Sequence, residues 1–72
     1  MEWKKPYGKT KTIKQVGYYE DDDTLVVEFS DGGIYEYYDV PKFIYHDILL
    51  GENPGKVLLK EVKGKYEYEK MN

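Results

Sequence analysis

The feature that most constrains this sequence is a stretch of alternating residues just before a glycine turn. In residues 24–30, the apolar side chains of Leu25, Val27 and Phe29 are separated by single residues, one of which is Glu28. A period of two is the pattern of a β-strand with one buried face. The stretch therefore predicts a strand whose odd-numbered residues face a core.

The turn after this strand sets how the next strand pairs with it. Residues 30–33 read Ser-Asp-Gly-Gly, and glycine accepts the positive φ that a three-residue hairpin loop with a glycine bulge requires. With such a loop we predict Tyr35 opposite Phe29 and Tyr37 opposite Val27. A two-residue turn would move the glutamate between the two tyrosines onto the apolar face, so we reject it.

The other extended segments predict an α+β fold built on an antiparallel three-stranded β-meander. Residues 12–19 are rich in β-forming residues, and the acidic residues 20–23 after them are expected to form a solvated turn. Residues 65–70 alternate tyrosine and glutamate, which predicts a short C-terminal strand or an extended tail.

Two short helices are predicted between the meander and this last segment. The first is expected to begin at Pro41, with Asp39 as its cap, and to end at Gly51. The second is expected to have Asn53 as its cap and to end at Gly64. Apolar residues at i,i+4 spacing give the first helix one buried stripe, formed by Ile44, Tyr45, Ile48 and Leu49.

The domain organisation follows from the N-terminal residues. Residues 1–11 are rich in lysine and interrupted by Pro6 and Gly8, so they predict a flexible lysine-rich arm before a single domain at residues 12–72. A core this small is close to the limit of independent stability. With no cysteine and one histidine, neither disulfides nor a conventional zinc site supply further stabilisation. We therefore expect a homo-oligomer.

Charge and hydropathy exclude several classes of protein. The net charge is −3 and the chain has no arginine, which argues against strong non-specific binding to nucleic acid and against bidentate clamps on phosphate. No apolar run is long enough to span a bilayer, and the N-terminus lacks the apolar stretch of a signal peptide. We expect a cytoplasmic protein that does not contact the membrane.

Spaced motifs along the chain resemble those of a known family. They are Gly17-Tyr18, Tyr35-Glu-Tyr37, Val40-Pro41, Gly55 and the final Val62-Lys-Gly64-Lys-Tyr66-Glu-Tyr68. In this order they resemble the KTSC family, named for a domain at the C-terminus of some lysyl-tRNA synthetases and found also as free-standing bacterial and phage proteins. The resemblance covers about residues 13–68. It implies a small KTSC-like domain and a connection to RNA through the synthetase.

The candidate ligand site combines tyrosines with lysines. Of the nine tyrosines, Tyr35 and Tyr37 share one strand, and Tyr38 projects to the opposite side, which makes it the better candidate for an exposed stacking ring. A stripe of lysines along the second helix and just beyond it is the candidate phosphate site, formed by Lys56, Lys60, Lys63 and Lys65. Two structural interpretations stay open. In these the paired tyrosines pack in the core and the lysines form a solvated helix face, as ordinary amphipathic patterning favours.

No catalytic residues are predicted. His46 has no serine or cysteine nucleophile arranged with it and falls on the polar side of its helix. Residues 21–23 are aspartates, but they lack the ligand spacing and glycine of a calcium loop. The chain is therefore expected not to be an enzyme and to need no cofactor and no metal.

Three functions remain, in this order. The first is a non-catalytic binding protein in which tyrosines stack the base of a nucleotide-type ligand and lysines hold its phosphate. In a free-standing phage-type protein, this would mean a homo-oligomer that sequesters a nucleotide signal between protomers. The second is an accessory domain that binds short single-stranded RNA, and the third is a protein–protein interaction domain.

Overall fold

The computed structural model describes all residues from 1 to 72 and contains one antiparallel sheet and two helices. In chain order, the elements are β1 (Ile13–Tyr19), β2 (Thr24–Phe29), β3 (Ile34–Tyr37), α1 (Lys42–Leu50), α2 (Pro54–Glu61) and β4 (Tyr68–Lys70). The strand order in the sheet is β1-β2-β3-β4. The small α+β fold is confirmed, with one correction. Of the two predicted alternatives for the C-terminal segment, a short strand or a tail, it is a strand, and because it pairs with β3 the sheet has four strands rather than three.

The loop between β2 and β3 has the predicted length. The amide of Phe29 donates to the carbonyl oxygen of Gly33 at 2.8 Å, and the amide of Gly32 donates to the carbonyl oxygen of Phe29 at 2.9 Å. These bonds enclose the three residues from Ser30 to Gly32. Gly32 has a φ of 94°, which a residue with a Cβ adopts only with strain.

The predicted register of this hairpin is wrong by two residues. Tyr35 pairs with Val27, and Tyr37 pairs with Leu25. The prediction had placed Tyr35 opposite Phe29, although a three-residue loop after Phe29 brings Gly33 to that position. The shared apolar face survives the error, because side chains alternate with a period of two and a shift of two keeps the same face.

Helix α1 begins without the predicted cap. Its N-cap residue is Pro41, no side chain bonds to its first turn, and Asp39 adopts a left-handed φ of 57°. The Asp39 cap is therefore wrong, because this residue belongs to the turn before the helix. The predicted stripe of four apolar residues is buried, and the helix ends at Gly51 as expected.

Helix α2 starts as predicted and ends early. The Oδ1 atom of Asn53 accepts from the amide of Lys56 at 3.2 Å, and Pro54 takes the first turn. The last helical residue is Glu61, so the helix stops before Gly64, and Lys63 lies in the turn that follows it. Neither helix has the length and apolar character needed to cross a membrane.

The core lies between one face of the sheet and the two helices. Leu25 and Val27 in β2 and Ile48 in α1 are completely inaccessible to solvent. The core is a cluster of 13 buried residues: Ile13, Val16, Tyr18, Leu25, Val27, Tyr37, Val40, Ile44, Tyr45, Ile48, Leu49, Leu58 and Val62. This cluster is apolar apart from its tyrosine hydroxyls, and burial of such side chains is the main favourable term in folding.

The N-terminal residues pack against the domain. Lys4 and Val16 exchange two backbone hydrogen bonds of 2.8 and 2.9 Å, so the chain before β1 adds an isolated bridge at the sheet edge. The amide of Tyr7 donates to the carbonyl oxygen of Leu49 at 2.9 Å. The flexibility of residues 1–11 stays a prediction, but these contacts give the arm a defined position.

Candidate functional site

The most prominent concave feature is an open groove of about 1420 Å³. Its floor is the part of the sheet near β3 and β4 that the helices leave uncovered. One wall is α2 with the turn after it, and the other is the segment at residues 9–12. We call this feature the α2 groove. It exceeds the roughly 300–1,000 Å³ of a typical small-molecule site, so it has room for a ligand with more than one ring system.

The floor of the α2 groove is a cluster of aromatic rings. Tyr35 lies at its centre, with ring centroids 5.4 Å from Phe29, 6.4 Å from Tyr37 and 5.8 Å from Tyr68. The Phe29 contact is edge-to-face and the Tyr37 contact is stacked, both of which are favourable aromatic geometries. Tyr37 is buried and burial raises the pKa of its hydroxyl, whereas Tyr68 is 59% exposed and Tyr35 is half-buried. Tyr35 and Tyr68 are therefore the rings that a ligand can reach.

Lysines form the rim of the α2 groove. Four of its lining residues are lysines, namely Lys9, Lys11, Lys56 and Lys63. All four side chains are exposed, and none of them makes a salt bridge, since the ion pairs of the chain are Lys14 with Glu28 and Lys42 with Glu20. Asp31 is the one carboxylate in the lining. The groove is therefore locally cationic in a protein whose net charge is −3.

The first turn of α2 faces two threonine hydroxyls across the groove. A Cβ added at Gly55 would lie 3.4 Å from Thr12 Oγ1 and 3.8 Å from Thr10 Oγ1, which is ordinary van der Waals contact and shows how close the two segments lie. Thr10 Oγ1 also accepts from the amide of Ile13 at 3.2 Å, which fixes its position. Because Pro54 has no amide hydrogen, Gly55 offers the first free amide of the helix at this end of the groove.

The structure brings together some of the predicted site residues and separates others. Tyr35, Tyr37, Lys56 and Lys63 line the α2 groove. Lys60 and Lys65 are exposed and lie outside its lining. Because α2 ends at Glu61, the four lysines do not form the continuous helical stripe that their spacing predicted.

Tyr38 lies on the opposite side of the sheet from the groove. It was expected to be an exposed stacking ring, but it is half-buried. Its hydroxyl, which has one hydrogen to donate, lies 3.2 Å from Glu36 Oε1 and 3.3 Å from Glu69 Oε1. Loss of solvation first, and then the two carboxylates, raise the pKa of Tyr38 to about 12. This ring is surrounded by negative charge, which repels phosphate, so the structure does not unite it with the lysines.

Several groove residues were missed from the sequence. Lys9, Thr10, Lys11 and Thr12 were assigned to the arm or the strand start, and Tyr68 to a segment without a known partner. Only the alternation of tyrosine and glutamate in residues 65–70 pointed to an ordered face, and it did not reveal which strand that face would join.

The remaining titratable residues offer no second site. His46 is exposed on α1 and does not line the α2 groove. No three side chains of His, Cys, Asp or Glu converge in a way that would hold a metal ion, and the aspartates of residues 21–23 are exposed.

These features define a small α+β domain with an aromatic, lysine-rimmed groove beside its second helix. A family model described as the KTSC domain matches residues 9–66, which is most of the chain. The chain therefore belongs to the KTSC family, as its motifs had predicted. The matched range includes most of the lining of the groove but not Tyr68.

Curated relatives include both long and short proteins. The chain is 35% identical over 68 residues to a lysine–tRNA ligase of Nostoc punctiforme and 34% identical over 60 residues to that of Trichormus variabilis. These matches cover 94% and 83% of the chain, but the chain spans only 12% and 11% of the ligases. A protein of Tsukamurella paurometabola is 29% identical over 58 residues, which cover 81% of this chain and 87% of that protein.

A crystal structure of a KTSC domain protein from Yersinia pestis has the same fold. It superposes with a TM-score of 0.87 at 22% sequence identity, covering 99% of this chain and 97% of that one. At this identity the likeness concerns the fold alone. It includes the whole arrangement of four strands and two helices.

Proposed function

We propose that this KTSC domain is a non-catalytic binding protein for a nucleotide-type ligand, which it holds in the α2 groove. The observation that carries the proposal is the convergence of reachable aromatic rings and unpaired lysines on one concave surface. A nucleotide has the matching chemistry, because its base is a flat π-system and its phosphates are anions.

The aromatic floor supports binding of the base. Tyr35 and Tyr68 are tilted by 47° with centroids 5.8 Å apart, so they form an angled aromatic surface rather than a single flat stack. Stacking of one base on an aromatic side chain contributes about 1–3 kcal/mol. Tyr37 and Phe29 support these rings from below and fix their orientation.

The rim supports binding of phosphate. Lysine provides a compact positive charge with three donors, and the four lysines of the groove make no salt bridge within the chain. The free amide of Gly55 and the hydroxyl of Thr12 add neutral donors near Lys56. Lys56 lies in the first turn of α2 and Lys63 lies in the turn that follows the helix, so the two charges stand near opposite ends of this wall of the groove.

The composition of the groove supports a role without catalysis. Its lining contains no histidine, and its one carboxylate is Asp31. General acid–base catalysis needs a positioned proton donor and acceptor, usually with perturbed pKa values. We therefore propose capture of the ligand rather than its conversion. In a homo-oligomeric phage-type protein, such capture would remove a nucleotide signal from solution.

Binding of short single-stranded RNA is the second candidate. The similarity to lysine–tRNA ligases favours it, since those enzymes act on tRNA. Because the groove is open to solvent, a short chain of nucleotides could also lie along the aromatic floor. The absence of arginine and the net charge of −3 favour a small ligand over a long polyanion.

The test is native mass spectrometry of the purified protein with mono- and dinucleotides and short oligoribonucleotides, followed by calorimetry of any ligand that is retained. We expect Lys56→Ala and Lys63→Ala each to weaken binding about tenfold, as loss of a charge-assisted hydrogen bond of about 1.5 kcal/mol implies. Lys60→Ala and Lys65→Ala are matched controls, since both are exposed lysines outside the groove.

The outcomes separate the candidates. Saturable binding of a mono- or dinucleotide that depends on Lys56 and Lys63 supports capture in the α2 groove. Affinity that rises with oligonucleotide length and falls steeply with salt supports the RNA role instead. If no nucleotide or oligonucleotide is retained, or if all four lysine variants behave alike, the groove is not a nucleotide site.

A further inference from the structure

The solvent-facing side of α1 carries an apolar stripe that nothing in the chain covers. Phe43 is 61% exposed and Leu50 is 59% exposed. They are seven residues apart, so they lie on the same side of the helix, two turns from one another. His46 and Asp47 lie between them on this side, and both are exposed. We call these four residues the α1 stripe.

The stripe is on the side of α1 opposite to the core. The buried residues of this helix are Ile44, Tyr45, Ile48 and Leu49. At 100° per residue, these four residues point away from the direction shared by Phe43 and Leu50. The apolar residues of the stripe therefore do not belong to the periphery of the core and form a separate surface. Their seven-residue spacing is that of side chains that pack between two helices.

The order of residues along the stripe is complementary to itself. If a second α1 helix runs antiparallel with its centre opposite the midpoint between His46 and Asp47, Phe43 meets Leu50 of the second copy. In the same register, His46 meets Asp47 of the second copy. Each contact occurs twice because the arrangement has two-fold symmetry. The apolar residues then pair with each other, and an imidazole N–H faces each carboxylate.

We propose that this face of α1 is a homodimer interface in which two α1 helices pack antiparallel about that midpoint. Tyr7, which is 77% exposed, extends the surface, because its amide is bonded to the carbonyl of Leu49 near the C-terminal end of α1. Lys42, at the edge of the stripe, is already paired with Glu20 and so adds no unpaired charge to the interface.

The size of the surface sets the expected strength of the dimer. A helix of nine residues is about 13 Å long, and two such faces bury less than the roughly 1,200 Å² of a standard stable interface. We therefore expect a weak dimer that forms with rising concentration. None of the four stripe residues lines the α2 groove, so dimerisation and ligand binding are separable.

The first test is sedimentation analysis of the full chain from low micromolar to millimolar concentration. We expect the wild type to shift from monomer to dimer, and Phe43→Glu and Leu50→Glu to remain monomeric. Because both side chains are exposed, the variants should keep the wild-type circular dichroism spectrum. Leu59→Glu is the matched control, since Leu59 is 65% exposed on α2 and should leave the dimer intact.

The second test checks the register. The natural chain has no cysteine, so single cysteines report only the designed contact. When Phe43→Cys and Leu50→Cys proteins are mixed and oxidised, the disulfide between the two different variants should predominate over both homodisulfides, as intact mass measures. A wild type that stays monomeric at every concentration overturns the proposal. So does a dimer that persists in Phe43→Glu, or a predominance of homodisulfides.

Discussion

The hydroxyl of Tyr18 donates a hydrogen bond to the backbone carbonyl oxygen of Val40, 2.6 Å away. The same hydroxyl lies 3.1 Å from Asp23 Oδ1, and the amide of Val40 donates to the carbonyl oxygen of Asp23 at 2.9 Å. Tyr18 also stacks on Tyr45, with ring centroids 5.4 Å apart. One buried side chain thus joins β1, the acidic turn and the entry to α1.

Removing this hydroxyl should destabilise the fold. In Tyr18→Phe, the buried carbonyl of Val40 loses its partner, and the expected loss in the free energy of unfolding is about 1–3 kcal/mol. Urea denaturation measures it. Tyr19→Phe is the matched control, because Tyr19 is exposed and a surface change of this kind stays within about 0.5 kcal/mol. Equal stability of the two variants would mean that the Tyr18 hydrogen bond makes no net contribution to the free energy of unfolding.

Tyr18 and Tyr38 should titrate late. Burial first, and then Asp23, raise the pKa of Tyr18 to about 12, while loss of solvation and the carboxylates of Glu69 and Glu36 raise the pKa of Tyr38 to about 12. An unfolded tyrosine titrates near pH 10. Since the folded pKa is the higher, the stabilisation is complete below about pH 10 and is lost as pH rises through about 12.

Ultraviolet absorbance of the phenolate follows this titration. We expect a late component above the pH 10 of an unfolded tyrosine, and we expect it to coincide with alkaline unfolding. Tyr18→Phe and Tyr38→Phe should each reduce the late component by one group. A single transition that both variants leave unchanged in shape would contradict the assignment.

Local patterns predicted most of the secondary structure. The period of two around Leu25 and Val27, the glycine at position 32 and the Asn53-Pro54 start of α2 act over a few residues, so the sequence alone reveals them. The Asp39 cap was wrong for a tertiary reason. Val40 is held by Tyr18 and Asp23, which places Asp39 in a left-handed turn instead of at the helix start.

The composition of the groove was harder to predict, because it depends on contacts between distant segments. Thr10 and Thr12 meet Gly55 across more than forty residues of chain, and no spacing rule links them. Tyr68 joins Tyr35 only because β4 returns to pair with β3 after two helices. The lysines of α2 were found from helical periodicity, but the early end of the helix decided which of them line the groove.

The N-terminal arm should detach when Gly8 is replaced. A Cβ at Gly8 would lie 2.6 Å from the carbonyl oxygen of Glu52, a backbone atom that cannot move aside without shifting the turn between the helices. Gly8→Ala should therefore break the bond from the Tyr7 amide to Leu49, at a cost of about 1–3 kcal/mol for overpacking. Hydrogen exchange at Tyr7 measures it directly.

Lys9→Ala serves as the control for this change, since Lys9 is exposed beside Gly8 and its side chain makes no salt bridge. We expect it to leave exchange at the Tyr7 amide slow. If that amide exchanges rapidly in the wild type as well, residues 1–11 behave as the flexible arm that the sequence predicted, and their contacts are transient.

The two faces of the sheet should differ in ligand binding. Tyr35→Leu removes the central ring of the groove, and loss of one stacked base should cost about 1–3 kcal/mol in the calorimetric affinity for the ligand identified by native mass spectrometry. Tyr38→Leu is the matched change, because both residues are half-buried tyrosines, Tyr35 within β3 and Tyr38 directly after it, but they face opposite ways. It should leave the affinity unchanged. Tyr68→Leu is a second groove variant. Because Tyr68 is mostly exposed, this change removes a reachable ring with little effect on stability, so weaker binding in it cannot be attributed to unfolding. Should Tyr38→Leu weaken binding while both groove variants bind normally, the ligand would lie among Glu36 and Glu69, and the α2 groove would not be its site.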